Sequence, residues 1–145
     1  MARRAGEAGV TLVEMLVVLA IVGIMAGLVV LGIGAASDRS AEIEAKRLAA
    51  RLTLAADEAM VSDRPLGLAW DKAGYRFLVE QDGAWRDDRA PALEPHRVAS
   101  GVTFVATVRS PFRIGGGMPA KMRFSTVKSG WVVLFDGATA KAVAG

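Results

Sequence analysis

From Met15 to Ala36 the chain runs for twenty-two residues without a charged or strongly polar side chain. At ~1.5 Å rise per residue that run is about 33 Å long as a helix, against ~30 Å of bilayer hydrocarbon. A helix lying on a soluble core would show a polar stripe every three or four residues, and this run shows none. It therefore predicts a membrane-spanning helix and leaves the residues beyond it for one folded domain of ordinary size.

The charge balance excludes little by itself. The formal net charge is +3, with acids and bases interleaved from Asp38 onward. A nucleic-acid binder usually concentrates its bases in a face or stripe, and no dense block occurs, so nucleic acid is not the expected partner. There is no cysteine, which excludes disulfide staples and thiolate metal sites but does not fix the compartment.

The order of segments at the start is unusual. A secretory signal has a basic start, an apolar core of ~7–15 residues and then a small-x-small cleavage site. Here a basic segment, residues 1–9, leads directly into Val10-Thr11-Leu12-Val13-Glu14 and the long apolar run. Ala35-Ala36-Ser37 imitates a signal-peptidase site, but the apolar stretch before it is far too long. A carboxylate at mid-membrane costs roughly 2.5–3.5 kcal/mol, and less at the end of a span, where Glu14 lies. Alone, Glu14 reads equally well as a helix-entry acid favoured by the helix dipole.

Its neighbours change that balance. Gly9-Val10-Thr11-Leu12-Val13-Glu14-Met15-Leu16 resembles the processing motif of type IV pilins and type II secretion pseudopilins, with Val10 in place of the usual phenylalanine. The resemblance implies that a prepilin peptidase cuts between Gly9 and Val10 and that the new amine of Val10 is methylated. Glycine before the cut would let the peptidase approach the backbone closely. Thr11 and Leu12 complete the motif. Glu14 would pair with the N-terminal ammonium of a neighbouring subunit, an interaction strong in low dielectric and penalised when either charge is left alone. Gly23 and Gly27 form a small-xxx-small pair suited to close helix packing, although glycine is common in spanning helices in any case. Residues 10–36 contain no proline.

Topology rests more on the resemblance than on charge. Arg3, Arg4 and the initial amine against Glu7 leave the leader at about +2, and the stretch from Asp38 to Arg51 is about +1. The positive-inside bias thus favours a cytoplasmic leader only slightly. The resemblance implies a bacterial inner-membrane protein, single-pass and in contact with membrane lipid, whose later residues are periplasmic and join a pseudopilus when assembled.

Beyond the span, Ala45, Leu48, Ala49, Leu52, Ala55, Ala56 and Ala59 recur at helical spacing among charged residues. This predicts an amphipathic helix to about Val61, stopped by Pro65. Short alternating runs then predict strands: Leu66 to Trp70, Tyr75 to Val79, a segment at Trp85, Val102 to Val108, Lys121 to Phe124, Trp131 to Phe135 and Thr139 to Val143. Asp136-Gly137 stands at a hairpin position. The expected fold is α+β, a long N-terminal helix packed on an antiparallel β domain. Its expected segments are a leader (1–9), an assembly helix (10–36), an amphipathic helix (37–64) and a periplasmic β domain (65–145).

Pro65-Leu-Gly-Leu, Gly74-Tyr-Arg-Phe-Leu, Trp85, Leu93, Phe124, Gly130 and Asp136-Gly137 together resemble the H-type minor pseudopilins of type II secretion. That resemblance implies a filament subunit near the tip of a pseudopilus that supports export of folded proteins across the outer membrane. Its implied partners are the peptidase, other major and minor pseudopilins and the inner-membrane secretion platform. The alternative is a minor type IV pilin of the fimbrial-biogenesis or DNA-uptake class, for which Lys121, Arg123, Lys128 and Lys141 would supply scattered charge.

No enzyme is expected. His96 is the only histidine, follows Glu94-Pro95 and reads as a surface residue, so a histidine-based metal site is unavailable. Asp82, Asp87 and Asp88 lack an EF-hand frame and alternate with Arg86 and Arg89. They read as a solvated loop, with calcium left open. Gly115-Gly116-Gly117 has no following Lys-Ser/Thr and so is not a phosphate loop. No cofactor or metal is implied.

Overall fold

The computed structural model describes residues 12–145, and the side chains of all of these except residues 28–38. One helix, α1, runs from Leu12 to Ser62, and the chain divides after Ala35 into two compact units. No proline interrupts α1. Asp63 leaves it in the left-handed region with φ 50°, where helices commonly end, and Pro65 follows. The last turn holds no basic residue, but Arg64 reaches back to Glu58 at 3.3 Å.

The second unit, residues 36–145, is built around the amphipathic half of α1. Ala41, Ala45, Leu48, Ala49, Leu52, Ala55 and Ala56 are buried, the three- and four-residue spacing expected of one helical face. Against this face lie two antiparallel sheets. The first contains β1 (Leu66–Trp70), β2 (Gly74–Gln81), β3 (Ala84–Asp87), β4 (His96–Arg97) and β6 (Phe112–Ile114). Its order is β3-β2-β1-β6, with β4 pairing β2 beyond β3. The second has the order β5-β7-β8-β9, where β5 is Thr103–Ala106, β7 is Ala120–Ser125, β8 is Gly130–Phe135 and β9 is Ala140–Ala144.

Alternation sets which side chains enter the core. Leu66 and Leu68 of β1, Tyr75, Phe77 and Val79 of β2, Met122 and Phe124 of β7, and Val133 and Phe135 of β8 are all buried in one cluster with the helix face. Aromatic contacts join the sheets: Trp70 and Tyr75 meet Phe104 at 6.1 and 6.3 Å, and Phe112 meets Phe135 at 6.1 Å. Most are edge-on or tilted, the arrangement ring quadrupoles favour. The helix is also tied to β9 by polar contacts. The Thr53 hydroxyl accepts from the Ala140 N–H at 3.0 Å and donates to the Ala49 carbonyl at 3.2 Å.

The α+β architecture agrees with expectation, and three details differ. The strand expected over Val102–Val108 is limited to Thr103–Ala106. β4 and β6 were not expected, since runs of two and three residues are too short to show alternation. The solvated loop expected around Asp87 and Asp88 leads into a 3-10 turn, Pro91–Leu93, that buries Leu93 completely.

Two glycines are required by close approach. A β-carbon on Gly67 would lie 2.8 Å from the Trp85 ring, which covers β1 on its outer face. One on Gly74 would collide with the His96 carbonyl oxygen, a backbone atom held by the β2–β4 pairing. A ring can shift more easily than a paired backbone. Gly74→Ala is therefore expected to cost about 3 kcal/mol and Gly67→Ala about 1 kcal/mol, within the usual range for overpacking. Urea unfolding of both variants checks the order.

Candidate functional site

The first described part of α1 has no polar face. Leu12, Val13, Met15 to Leu19, Ile21, Val22, Ile24 and Met25 are each between 49 and 78% exposed. These positions run round the whole circumference, so the apolar surface is a sleeve and not a stripe. A helix apolar all round is normally buried in lipid or among other helices. Glu14, in the first turn, is the one ionisable residue from Leu12 to Gly27. Gly23 and Gly27 have nothing within 4 Å of a notional β-carbon, so this face of the helix has room for another backbone.

Gly9, Val10 and Thr11 lie outside the described residues, and the geometry of the expected cleavage site with them. Among the described residues no helix is long and apolar enough to cross a membrane. The described side chains of the Met15–Ala36 run stop at Gly27, which is short of the ~20 residues a span needs.

His96 is not the surface residue expected from sequence. Its Nε2 lies 2.7 Å from Glu44 Oε2 and 3.0 Å from Arg47 Nη1, and the Glu44 side chain is only 4% exposed. One ring nitrogen cannot donate to Glu44 and accept from Arg47 at once. Arg47 also reaches Glu44 Oε1 at 3.3 Å. One turn further along, Arg51 donates to the Ala92 and Glu94 carbonyls and lies over the Tyr75 and Phe77 rings at 5.5 and 5.2 Å. Glu44, Arg47 and Arg51 thus clamp the loop before β4 to the helix. Their spacing of three and four beside Leu48 and Leu52 was the signal in the sequence, but it marks a structural clamp and not chemistry.

The acidic residues do not converge. Asp82 sits in the β2–β3 turn with φ 53°. Asp87 pairs with Arg76 at 3.2 Å. Asp88 is buried, accepts from the Ala90 N–H at 3.0 Å and lies 3.8 Å from Arg64. Among the described residues no group of three or more His, Cys, Asp or Glu could hold a metal ion. Of the basic residues near the C-terminus, Lys121, Arg123 and Lys141 face outward from the second sheet, while Lys128 lies in the β7–β8 turn.

A long N-terminal helix packed through its amphipathic half on antiparallel sheets is the pilin-like fold. Residues 4–30 match the prokaryotic N-terminal methylation motif. The chain is 39% identical over 71 residues to type II secretion system protein H of Pseudomonas aeruginosa, a match covering 48% of this chain and 41% of that protein. To the Escherichia coli protein of the same name it is 39% identical over 85 residues, covering 55% and 50%. The chain therefore spans about half the length of these relatives or less. Its fold is similar to that of the minor pseudopilin EpsH from the type 2 secretion system of Vibrio cholerae. One EpsH structure matches with a TM-score of 0.59 at 18% identity, covering 72% of this chain and 97% of that one. The named relatives and the solved structure are all type II secretion proteins.

Two titrations follow from the geometry. Burial pushes the Tyr75 hydroxyl above its ordinary pKa, opposed first by a side-chain hydrogen-bonding interaction with Arg51 and then by its positive charge, while no described group lies in a geometry that fully satisfies the hydroxyl. An unmade bond of this kind is a cost, so Tyr75→Phe should leave the thermal midpoint unchanged or raise it. Asp136 accepts from the Ala138 and Thr139 N–H groups at 2.9 and 2.7 Å and from the Thr139 hydroxyl at 2.9 Å. These bonds lower its pKa from 3.8 to about 2. A carboxyl lowered in the folded state stabilises fully above its unfolded pKa and loses that effect as pH falls through the folded one. The stability deficit of Asp136→Ala against the parent should therefore shrink between pH 3.8 and about 2, as read by acid unfolding of both.

Proposed function

We propose that this chain is a minor pseudopilin, a structural subunit of a type II secretion pseudopilus and not an enzyme. The observation that carries the proposal is the exposed apolar sleeve of the described part of α1, with Glu14 in its first turn, set directly behind the Gly9-Val10 motif and joined to a pilin-like domain. A prepilin peptidase removes residues 1–9 and methylates Val10. Residues 10–36 hold the subunit in the inner membrane with the leader cytoplasmic, and residues 37–64 and 65–145 are periplasmic. The subunit then moves into the filament, near its tip, where the sleeve is covered by other pseudopilin helices and by contact with the secretion platform below.

Glu14 acts as the register device. Its carboxylate pairs with the ammonium of a neighbouring subunit, and an unpaired charge in that low-dielectric bundle is strongly disfavoured. Thr11 and Leu12 belong with Glu14 to the assembly end of the helix, while Gly23 and Gly27 allow close helix approach. The similarity of the chain to type II secretion system protein H supports the secretion assignment.

Two measurements test the proposal separately. Mass spectrometry of the protein from a strain with prepilin peptidase should find Val10 as the N-terminus, carrying one added methyl. An intact Met1 would refute processing. Glu14→Leu should leave the protein in the membrane fraction while its recovery with sheared filaments drops at least about tenfold, as expected for loss of a buried charge pair. Undiminished recovery would refute the register role.

A further inference from the structure

The outer faces of the two sheets are built on different principles. On the first sheet two of the cations are paired within the face, while Arg97 makes no ion pair among the described residues. Arg76 meets Asp87 at 3.2 Å, Arg113 pairs with Glu80, and Arg113 lies 5.5 Å over the Trp85 ring that itself covers Gly67. On the second sheet the cations are not so paired. Its register sets Val105, Arg123, Val132 and Val143 in one row across β5, β7, β8 and β9, and Lys121, Leu134 and Lys141 in the next. Arg123 stands among the valines of the first row, and Lys121 and Lys141 flank Leu134 in the second. Lys121, Arg123 and Lys141 make no ion pair among the described residues, and no outward position on these four strands carries an acid.

Three of the aliphatic members are exposed, Leu134 by 45%, Val105 by 57% and Val143 by 41%, while Val132 is buried at 3%. An open depression of about 550 Å³ lies here, floored by Pro119, Ala120, Leu134 and Val143 and bordered by Lys121 and Lys141. Asp136 also lines the depression, an ionised carboxylate held by three hydrogen bonds within its own turn. Lys121 and Lys141 flank Leu134 two strands apart, about 10 Å at ~4.8 Å per strand. That exceeds the ~8 Å screening length at physiological salt, so the two exposed charges act on each other weakly and each is left for a partner outside the chain.

We infer that this face docks an acidic protein surface, one in which carboxylates surround an aliphatic side chain that enters the depression beside Leu134. Carboxylates would pair with Lys121 and Lys141, and the aliphatic side chain would take Leu134 and Val143 out of water. A nucleic acid fits less well. No aromatic side chain faces outward on these strands to stack a base, and a phosphate backbone would cover the aliphatic residues without filling the depression. This inference rests on the β domain alone and does not depend on processing or on Glu14.

The test uses the full chain in zwitterionic detergent micelles, with backbone amide signals followed by NMR. The probe is a short soluble peptide carrying leucines among glutamates, compared with the same peptide bearing glutamines and with duplex DNA. The glutamate peptide should shift the signals of Lys121, Leu134, Lys141 and Val143, more weakly as salt is raised. Lys121→Glu/Lys141→Glu and, separately, Leu134→Ser should each weaken it about tenfold, as for loss of steering charges or an apolar anchor. Both changes are on exposed side chains, and an unchanged thermal midpoint confirms folding. The inference is overturned if the peptide shifts no signals or shifts others, if the glutamine peptide binds as well, or if only DNA binds.

Discussion

Five alanines on one face of α1 determine how near both sheets can come to the helix, and most of the β domain follows from that distance. Ala41, Ala45, Ala49, Ala55 and Ala56 are buried and offer nothing beyond a β-carbon, leaving Leu48 and Leu52 as the large helix residues of the core. The volume must then come from the strands. Phe77, Phe112, Phe124 and Phe135 supply it from inward positions of both sheets. Small side chains on the helix against large ones on the sheets is a complementary way to reach crystal-like density. It also brings the helix backbone close enough for Thr53 to satisfy the Ala140 N–H directly, so the first residue of β9 is held by the helix as well as by β8.

The two parts of α1 show what a helix needs besides propensity. From Ala41 to Ala56 burial of an apolar face, at roughly 25 cal/mol per Å², accounts for its place in the fold. From Leu12 to Gly27 none of the large apolar residues is buried by the described chain. The alternation of polar and apolar positions that marks the later part is missing there because no single direction is the interior. Such a segment is stable only where its whole surface is covered, which is the physical reason for reading it as a helix made for lipid or for other helices.

Much of the fold was legible in the sequence wherever a pattern was long enough to repeat. The amphipathic face of α1 was read residue by residue, and the β1–β2, β7–β8 and β8–β9 hairpins stand where alternation and turn residues placed them. β6 was missed because Phe112, Arg113 and Ile114 give only one alternation. Its pairing with Leu66 to Leu68 comes from a neighbour far away in the sequence. His96 was misread for a related reason. Its partner Glu44 is 52 residues earlier, and nothing local distinguishes a histidine bound to a distant acid from one in solvent. Of the candidate site, the apolar helix and Glu14 were legible because their chemistry is local. The basic-aliphatic face was not, since it exists only once strand register sets Lys121, Leu134 and Lys141 side by side.

This difference bears on how such a subunit would choose its neighbours. Packing between apolar helices discriminates weakly, because any helix with small residues at the contact can approach as closely. A single acid such as Glu14 can fix the stagger of two helices, but it serves equally well for every subunit that carries an ammonium at the same height. Specificity requires that the right partner gain something the wrong one lacks, or that the wrong one pay a cost. The outer face of the first sheet offers less, since Arg76 and Arg113 are already matched by Asp87 and Glu80. The second sheet offers both: Lys121, Arg123 and Lys141 favour an acidic neighbour and repel a basic one. If the helix determines that the subunit assembles, the register of β7, β8 and β9 determines beside whom.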